Sequence, residues 1–127
     1  MAKNGTTRSL FELTGKVALV TGASKGIGET IAHALAEYGA SVVVSSRKQE
    51  AVDSVAQQIK SRGFEATAIA ANMGRMEQAE ALVDSAVSEY GALDIIVNNA
   101  ATNPVYGSID QTDSGAFDKI IDVNLKG

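Results

Sequence analysis

The 127-residue chain is long enough for one domain with a buried core and too short for two domains of ordinary size. Its 45% hydrophobic and 20% charged residues are typical of a globular protein, and a net charge of −4 gives no reason to expect nucleic acid or an anionic membrane as a partner. The chain has no cysteine, which excludes disulfides, thiolate metal sites and cysteine nucleophiles, and no apolar run approaches the roughly 18–20 residues of a membrane span.

The first nine residues, MAKNGTTRS, are polar and lack the apolar core of a secretory signal. We therefore expect a flexible arm over residues 1–9 and a single domain over residues 10–127. The absence of cysteine fits a reducing compartment, and we expect a cytoplasmic protein. The acidic residues are scattered without the clustering of a metal site, so no metal ligand is predicted.

Four short apolar runs predict β-strands: VALV at 17–20, SVVV at 41–44, ATAIA at 66–70 and DIIV at 94–97. The runs are continuous rather than alternating, which is typical of parallel strands that are buried on both faces. Each run is followed by a stretch of helical periodicity. Four strand–helix units joined by right-handed crossovers predict an open, parallel α/β sheet.

Three of the helices have clear apolar stripes and end at glycines suited to a helix C-terminus, namely Gly39, Gly63 and Gly91. The stripes consist of Ile27, Ile31 and Leu35 in the first helix; Val52, Val55, Ala56 and Ile59 in the second; and Ala79, Leu82, Val83, Ala86, Val87 and Tyr90 in the third. We expect these stripes to pack against the sheet.

The first strand runs directly into TGASKGIG, which places Gly22, Gly26 and Gly28 at a strand-to-helix turn. Glycine lets the chain turn tightly and lets a phosphate approach the backbone, while the new helix offers free N–H groups and a partial positive charge. The turn therefore suits the pyrophosphate of a dinucleotide, although a plain tight turn would also explain three glycines. The preceding strand, the following helix and the second strand supply the context that favours the dinucleotide.

The end of the second strand indicates which dinucleotide would bind. An acidic residue at that point holds a ribose 2′-hydroxyl, but this chain has Ser46 followed by Arg47 and Lys48. Serine can donate to a 2′-phosphate, arginine can bind it with a planar fork, and Lys25 in the glycine turn adds another positive charge. We infer NADP(H) rather than NAD(H); the alternative is that Arg47 and Lys48 are only solvated at a helix start.

An asparagine interrupts the apolar stripe of the closing segment, FDKIIDVNLKG. Helical spacing from Phe117 gives Ile120, Ile121, Asn124 and Leu125, the pattern of a helix that faces the core. A carboxamide on such a face must find hydrogen-bond partners or carry a desolvation penalty of roughly 1–3 kcal/mol. Asn124 is therefore either a structural clasp or part of a site.

These motifs together resemble the short-chain dehydrogenase/reductase family. TGASKGIG is similar to its cofactor turn, NNAA at 98–101 to its NNAG motif, and DVNLKG at 122–127 to the helix that carries its active-site asparagine. Within the family, VVVSSRKQ and the NPVYGSI loop look most like NADPH-dependent carbonyl and retinal reductases. The resemblance implies a Rossmann-like sheet in the order 3-2-1-4 and hydride transfer between NADP(H) and a small carbonyl or alcohol substrate.

The resemblance also implies roles for individual residues. Gly22, Ser24, Lys25, Gly26, Ile27 and Gly28 would line the pyrophosphate and the adjoining ribose; Ser46, Arg47 and Lys48 would bind the 2′-phosphate; Asn72 and Met73 would lie beside the adenine; and Asn99, Ala100 and Ala101 would face the nicotinamide ribose. Asn72 stands where the family usually has Asp, and Ala101 where it usually has Gly. Asn124 would be the catalytic asparagine, which holds a helix kink and a water of the proton relay.

The family's chemistry also needs a serine and a Tyr-x-x-x-Lys pair. The residues four positions after Tyr38, Tyr90 and Tyr106 are Val42, Asp94 and Asp110, so the pair is absent from this sequence. We therefore expect the chain to be truncated relative to the family, to correspond to its cofactor-binding half, and not to catalyse the reaction alone.

Two other functions fit parts of the pattern. One is a non-catalytic binding or assembly module with the same fold. Truncation would then expose the outer edge of the fourth strand and the apolar side chains of Phe117, Ile121 and Leu125. Such surfaces predict a homo-oligomer formed through the last helix or the strand edge. The other is a methyltransferase, which also has a glycine-rich first turn but would have an acid in place of Ser46.

Overall fold

The computed structural model describes residues 7–102, 107–108, 110 and 112–126. The elements along the chain are α1 (Thr7–Leu10), β1 (Val17–Thr21), α2 (Gly26–Glu37), β2 (Ser41–Ser45), α3 (Gln49–Ser61), β3 (Ala66–Ala68), α4 (Met76–Tyr90), β4 (Ile95–Val97) and α5 (Ser114–Ile120), and α5 continues as a π-helical segment, Ile121–Lys126. Part of the predicted arm is therefore helical, since α1 includes residues 7–9. Residues 1–6 of the arm, and most of the NPVYGSI loop, lie outside the described residues.

The four strands form one parallel sheet in the order β3-β2-β1-β4, as predicted. Val17 of β1 is opposite Ser41 of β2, Ala18 is opposite Ile95 of β4, and Val42 of β2 is opposite Ala66 of β3. All five residues of β1 are buried, which explains why its sequence is continuously apolar rather than alternating. β3 and β4 have three residues each and are shorter than the apolar runs that predicted them.

Helices cover the sheet on both faces. On one face Val52, Val55 and Ile59 of α3 pack with small residues of α2 against β1 and β2, and all three are buried as predicted. On the other face Leu82 and Ala86 of α4 pack against Leu19 and Val43 of the same two strands. The two layers leave the carboxyl ends of the strands open at one edge, where a ligand site is expected in this kind of sheet.

The predicted stripes of α2 and α4 were partly wrong. Ile27 is 73% exposed, and α2 buries Gly28, Ala32 and Ala36 instead, with Ile31 and Leu35 half-buried beside them. The small side chains allow α2 to lie close to the sheet, so the contact face is displaced by one position from the larger residues. In α4, Val83 and Val87 are 38% and 41% exposed, and Leu82 and Ala86 are the residues that it buries.

The core-facing stripe predicted for the last helix was wrong, whereas the exposure of Phe117 and Leu125 expected under the assembly alternative is observed. Phe117 is 58% exposed and Leu125 is 75% exposed, while Ile120 and Ile121 are half-buried. The i, i+3, i+4, i+7 pattern assumes α-helical spacing throughout, but the backbone changes to π-helical winding at Ile121. The wider turn rotates residues 121–126 away from the positions that α-helical counting assigns to them.

Candidate functional site

A cleft of about 450 Å³ opens at the carboxyl ends of the four strands. It collects residues from the turns that follow β1, β2, β3 and β4: Gly22, Ser24, Lys25, Gly26, Ile27, Ser46, Arg47, Asn72, Met73, Asn99, Ala100 and Ala101. All of these were predicted from the sequence as one binding site. Of the predicted set, Gly28, Lys48 and Asn124 are not among the residues that line the cleft.

The turn after β1 uses backbone conformations that favour glycine. Gly22 and Gly26 have φ angles of 62° and 60°, in the left-handed region that favours glycine. A Cβ added at Gly28 would lie 2.2 Å from the carbonyl oxygen of Gly22, so Gly28 is needed for close packing of α2 on the turn rather than for lining the cleft. Beyond its chain neighbours and the backbone of its own helix, a Cβ at Gly26 would meet no atom of the described residues within 4 Å, which leaves space at the cleft wall.

The N-terminus of α2 lies at this glycine turn and has no side-chain cap. The residue before the helix is Lys25, and its side chain does not cap the helix. The first N–H groups of a helix have no partner within the helix, so an anion is a natural ligand for them. The same arrangement recurs at α3, where Lys48 precedes the helix and makes no side-chain cap.

The charges that line the cleft all have the same sign. Lys25, Arg47 and Lys119 are its only charged lining residues among those described, and no carboxylate lines it, although the chain as a whole carries a net charge of −4. Beside Arg47, the hydroxyl of Ser46 accepts from the N–H of Lys48 at 3.3 Å and lies 3.4 Å from the Lys48 carbonyl oxygen. The site is therefore suited to a ligand with several negative charges.

Asn72 and Met73 form the wall contributed by the loop between β3 and α4. The N–H of Asn72 donates to Oε1 of Gln78 at 2.8 Å, and Oδ1 of Asn72 accepts from the N–H of Gly74 at 2.8 Å. Met73 is 9% exposed and packs with Leu19 and Leu82 in the core. Both residues thus belong to a loop whose conformation is fixed before any ligand arrives.

Thr21, at the end of β1, was missed by the sequence reasoning. Its hydroxyl is buried, donates to the carbonyl of Val97 at 3.3 Å and accepts from the N–H groups of Asn99 and Ala100 at 3.1 and 3.0 Å. Nδ2 of Asn99 in turn donates to the Gly22 carbonyl at 3.1 Å. The turns after β1 and β4 are therefore joined directly. A polar residue that ends a buried apolar strand was the available signal.

Asn124 does not line the cleft, but its side chain is hydrogen-bonded to Thr102, a residue that does. Its Oδ1 accepts from the N–H of Thr102 at 2.6 Å, and its Nδ2 donates to the Thr102 carbonyl at 2.9 Å. The sequence left open whether Asn124 is a structural clasp or part of a site. The two hydrogen bonds to Thr102 are those of a structural clasp. Thr102 itself lines the cleft, as do three further residues that the sequence reasoning missed, Ala71, Lys119 and Val123. Lys119 and Val123 lie four positions apart on the last helix, one turn from each other.

The described residues contain no group of three or more His, Asp or Glu side chains that could hold a metal ion. None of the helices in the described ranges combines the length and apolar character that crossing a membrane requires.

Comparison with known proteins agrees with this architecture. The family model described as short chain dehydrogenase matches residues 16–127. The human protein "Dehydrogenase/reductase SDR family member 4" is 45% identical over 126 residues, which are 99% of this chain and 45% of the human protein. The chain therefore spans about half the length of the curated relatives that it matches.

Two solved structures illustrate the likeness. A metagenomic short-chain oxidoreductase in complex with NADP is 36% identical and superposes with a TM-score of 0.85 over 90% of this chain and 52% of its own. A 3-oxoacyl (acyl-carrier-protein) reductase from Agrobacterium tumefaciens C58 with NADP bound is 29% identical, with a TM-score of 0.89 over 97% of this chain and 47% of its own. The glycine turn, the parallel sheet and the family match lead to one conclusion: the chain belongs to the short chain dehydrogenase family.

Proposed function

We propose that the chain is the NADP(H)-binding portion of a short-chain dehydrogenase/reductase, and that the whole protein transfers a hydride between NADP(H) and a small carbonyl or alcohol substrate. The observation that carries the proposal is the cleft itself, in which a glycine-rich turn lies among Lys25, Arg47 and Lys119 and no carboxylate lines the walls among the described residues. Both similar structures described above hold NADP. A cytoplasmic location remains part of the proposal.

The residues present fit this cofactor. The pyrophosphate would bind at the turn of Gly22, Ser24 and Gly26, where the uncapped N-terminus of α2 supplies N–H donors. A 2′-phosphate would bind between Arg47 and Lys25. A carboxylate in place of Ser46 would bind the 2′-hydroxyl of NAD(H) and repel that phosphate, which favours NADP(H) here.

The other end of the cofactor would lie toward the turn after β4. Asn72 and Met73 would contact the adenine, and Asn99, Ala100 and Ala101 would face the nicotinamide ribose. The bound nicotinamide supplies the hydride, and the protein orients it. Because the 127 residues contain no Tyr-x-x-x-Lys pair, we expect this chain to bind NADP(H) without turning over a carbonyl substrate.

The test is a titration of the chain with NADPH and NADH, followed by cofactor fluorescence or calorimetry. We expect NADPH to bind at least about tenfold more tightly than NADH, and the Lys25→Ala/Arg47→Ala variant to lose that preference, because charge-assisted hydrogen bonds to the 2′-phosphate are removed. The control is Lys16→Ala/Lys60→Ala, which removes two exposed cations outside the cleft. Equal affinities, or no binding, would contradict the proposal. Turnover of a panel of carbonyl compounds above that of the double variant would contradict only the expectation that this chain does not catalyse the reaction alone.

A non-catalytic assembly role is the second candidate, because large apolar side chains lie on the surface. Ile96 of β4 is 51% exposed, and Phe117 and Leu125 of the last helix are 58% and 75% exposed. β4 is also an outer strand of the described sheet. We propose self-association through this strand edge or the last helix. Sedimentation that finds a monomer at every concentration would exclude it.

A further inference from the structure

The carboxamide of Gln49 covers the outer edge of the chain where β3 ends. Its Nε2 donates to the carbonyl of Ala68 at 3.2 Å, and its Oε1 accepts from the N–H of Ala70 at 3.0 Å. On the inner side, the N–H of Ile69 donates to Val44 of β2 at 3.1 Å. Alternate residues of a strand direct their backbone N–H and C=O groups to opposite sides, so those of Ala68 and Ala70 point away from β2. Gln49 therefore bonds β3 as the peptide group of a neighbouring strand would.

A second contact fixes the orientation of this carboxamide. Nε2 of Gln49 also donates to Oδ1 of Asp53 at 2.8 Å, one turn further along α3. The amide nitrogen has two N–H groups, and the carbonyl of Ala68 and the carboxylate of Asp53 account for both. The oxygen is then directed toward Ala70 without ambiguity. The side chain is held at three points, although it belongs to the exposed surface.

Gln49 joins two parts of the cleft that are distant in sequence. It is the first residue of α3 and directly follows Ser46, Arg47 and Lys48, while Ala70 directly precedes residues 71–73. Residues 46, 47 and 71–73 all line the cleft. In the middle of the same loop, the side chain of Gln78 accepts from the N–H of Asn72 at 2.8 Å. Carboxamides from α3 and α4 thus hold the loop at its start and at its middle.

We propose that Gln49 is a positioning residue for the adenosine half of the cleft, one that fixes the loop of residues 71–73 relative to the turn of residues 46–48. The inference rests on the proposed NADP(H) function and adds to it, because Gln49 itself does not line the cleft. A ligand that bridges the two turns gains affinity when they are already held at the correct separation, since less order must be created on binding.

The experiment uses the full chain with Gln49→Met, which keeps the length of the side chain and removes its polar groups. The matched control is Gln57→Met, at an exposed glutamine of the same helix. The ligands are 2′,5′-ADP, which represents the adenosine half of the cofactor, and reduced nicotinamide mononucleotide, which represents the other half. Binding is measured by NMR titration, and the exchange rate of the Ala70 amide is measured without ligand.

For Gln49→Met we expect 2′,5′-ADP to bind about 3- to 20-fold more weakly, because the loop order that the lost hydrogen bonds supplied must then be created on binding. Reduced nicotinamide mononucleotide should bind as before. We also expect the Ala70 amide to exchange at least about tenfold faster. Gln57→Met should change none of these quantities.

The outcomes separate this inference from the function on which it rests. If the unmutated chain binds 2′,5′-ADP and Gln49→Met binds it equally well, the inference is wrong and the proposed function stands. An equal loss for both ligands would indicate general destabilisation and would also overturn the inference. If the unmutated chain does not bind 2′,5′-ADP, the proposed function is wrong and the inference falls with it.

Discussion

Asn124 and Thr102 form a closed pair of hydrogen bonds, in which one carboxamide satisfies both the N–H and the carbonyl of a loop residue 22 positions earlier. The pair joins the π-helical segment to the turn that follows β4. Thr102 lines the cleft, whereas Asn124 does not. In the described structure Asn124 therefore acts on the site through the backbone that it holds, and a catalytic role of its own remains a prediction from the family resemblance.

Replacement of Asn124 by alanine is expected to lower the free energy of unfolding by about 1–3 kcal/mol, because both Thr102 backbone groups lose their partner. Asn124→Asp keeps the acceptor but loses the donor to the Thr102 carbonyl, and we expect a smaller loss. Urea denaturation measures both. Asp118→Ala, at an exposed position of α5, is the control and should have little effect. If Asn124→Ala is as stable as that control, the clasp contributes nothing.

Two buried hydroxyls should respond in opposite directions. Thr21 donates to Val97 and accepts from two N–H groups, so Thr21→Val should lower the free energy of unfolding by about 2–4 kcal/mol. Ser45 is 1% exposed, and its hydroxyl has no hydrogen-bond partner in the described part of the chain. Ser45→Ala should therefore raise the free energy of unfolding by up to about 1 kcal/mol. Chemical denaturation compares them. A loss in Ser45→Ala as large as that in Thr21→Val would contradict this account.

Ser46→Asp should reverse the preference between the two dinucleotides. The new carboxylate would repel a 2′-phosphate and accept from a ribose 2′-hydroxyl, so we expect NADPH to bind at least about tenfold more weakly and NADH more tightly. Ser54→Asp adds the same charge at an exposed position of α3 and is the control. Competitive titration with both cofactors gives the ratio. If Ser54→Asp lowers NADPH affinity equally, long-range charge rather than contact at Ser46 is responsible.

Two of the three glycines of the turn, Gly28 and Gly26, should lower the stability for different reasons when changed to alanine. A Cβ at Gly28 would lie 2.2 Å from the Gly22 carbonyl oxygen, so the backbone must shift, and we expect a loss of more than about 3 kcal/mol in the free energy of unfolding. Gly26 has open space around it but a φ of 60°, which costs alanine only about 1–2 kcal/mol. Thermal and urea denaturation rank the two variants. The reverse order would show that packing does not dominate at this turn.

Much of the fold followed from local features of the sequence. Continuous apolar runs with intervening helical stripes predicted four parallel strands. Their order was predicted from the family resemblance, and the sheet confirms it. The cleft residues were predictable because parallel strands place their carboxyl ends at one edge of a sheet. That these residues contact NADP(H) stays a prediction.

The errors have specific physical causes. Ile27 was assigned to a core-facing stripe by its helical spacing with Ile31 and Leu35, but it lines the cleft instead. The helix α2 packs through Gly28, Ala32 and Ala36, whose small size allows close approach. Leu125 was assigned to the core by counting at α-helical spacing, which the π-helical winding does not keep. Thr21 was missed although a polar residue at the end of a buried strand was a signal, whereas Gln49 could not be assigned because its backbone partners Ala68 and Ala70 lie 19 and 21 positions away in sequence.

The stability of the chain should also fall at alkaline pH because of Tyr90. Partial burial raises the pKa of Tyr90 above its ordinary value, an effect that its hydrogen bond to Thr67 partly opposes and that nearby Glu65 and Glu89 reinforce. The unfolded chain releases the phenolic proton at the ordinary pKa, and the folded chain releases it only at a higher pH. Over that interval the unfolded state binds fewer protons, so the free energy of unfolding decreases as pH rises.

Tyr90→Phe separates this effect from other alkaline titrations. The variant loses the 2.7 Å hydrogen bond between the Tyr90 hydroxyl and Oγ1 of Thr67, so it should be less stable at neutral pH, but it carries no phenol to ionise. Between about pH 8 and about pH 11, urea denaturation should therefore give a shallower decline for Tyr90→Phe than for the unmutated chain. Thr67→Val removes the same hydrogen bond and keeps the phenol, so its decline should stay at least as steep as that of the unmutated chain. Parallel slopes in Tyr90→Phe and the unmutated chain would mean that the alkaline loss arises elsewhere, and that the burial of Tyr90 is too slight to couple its proton to folding.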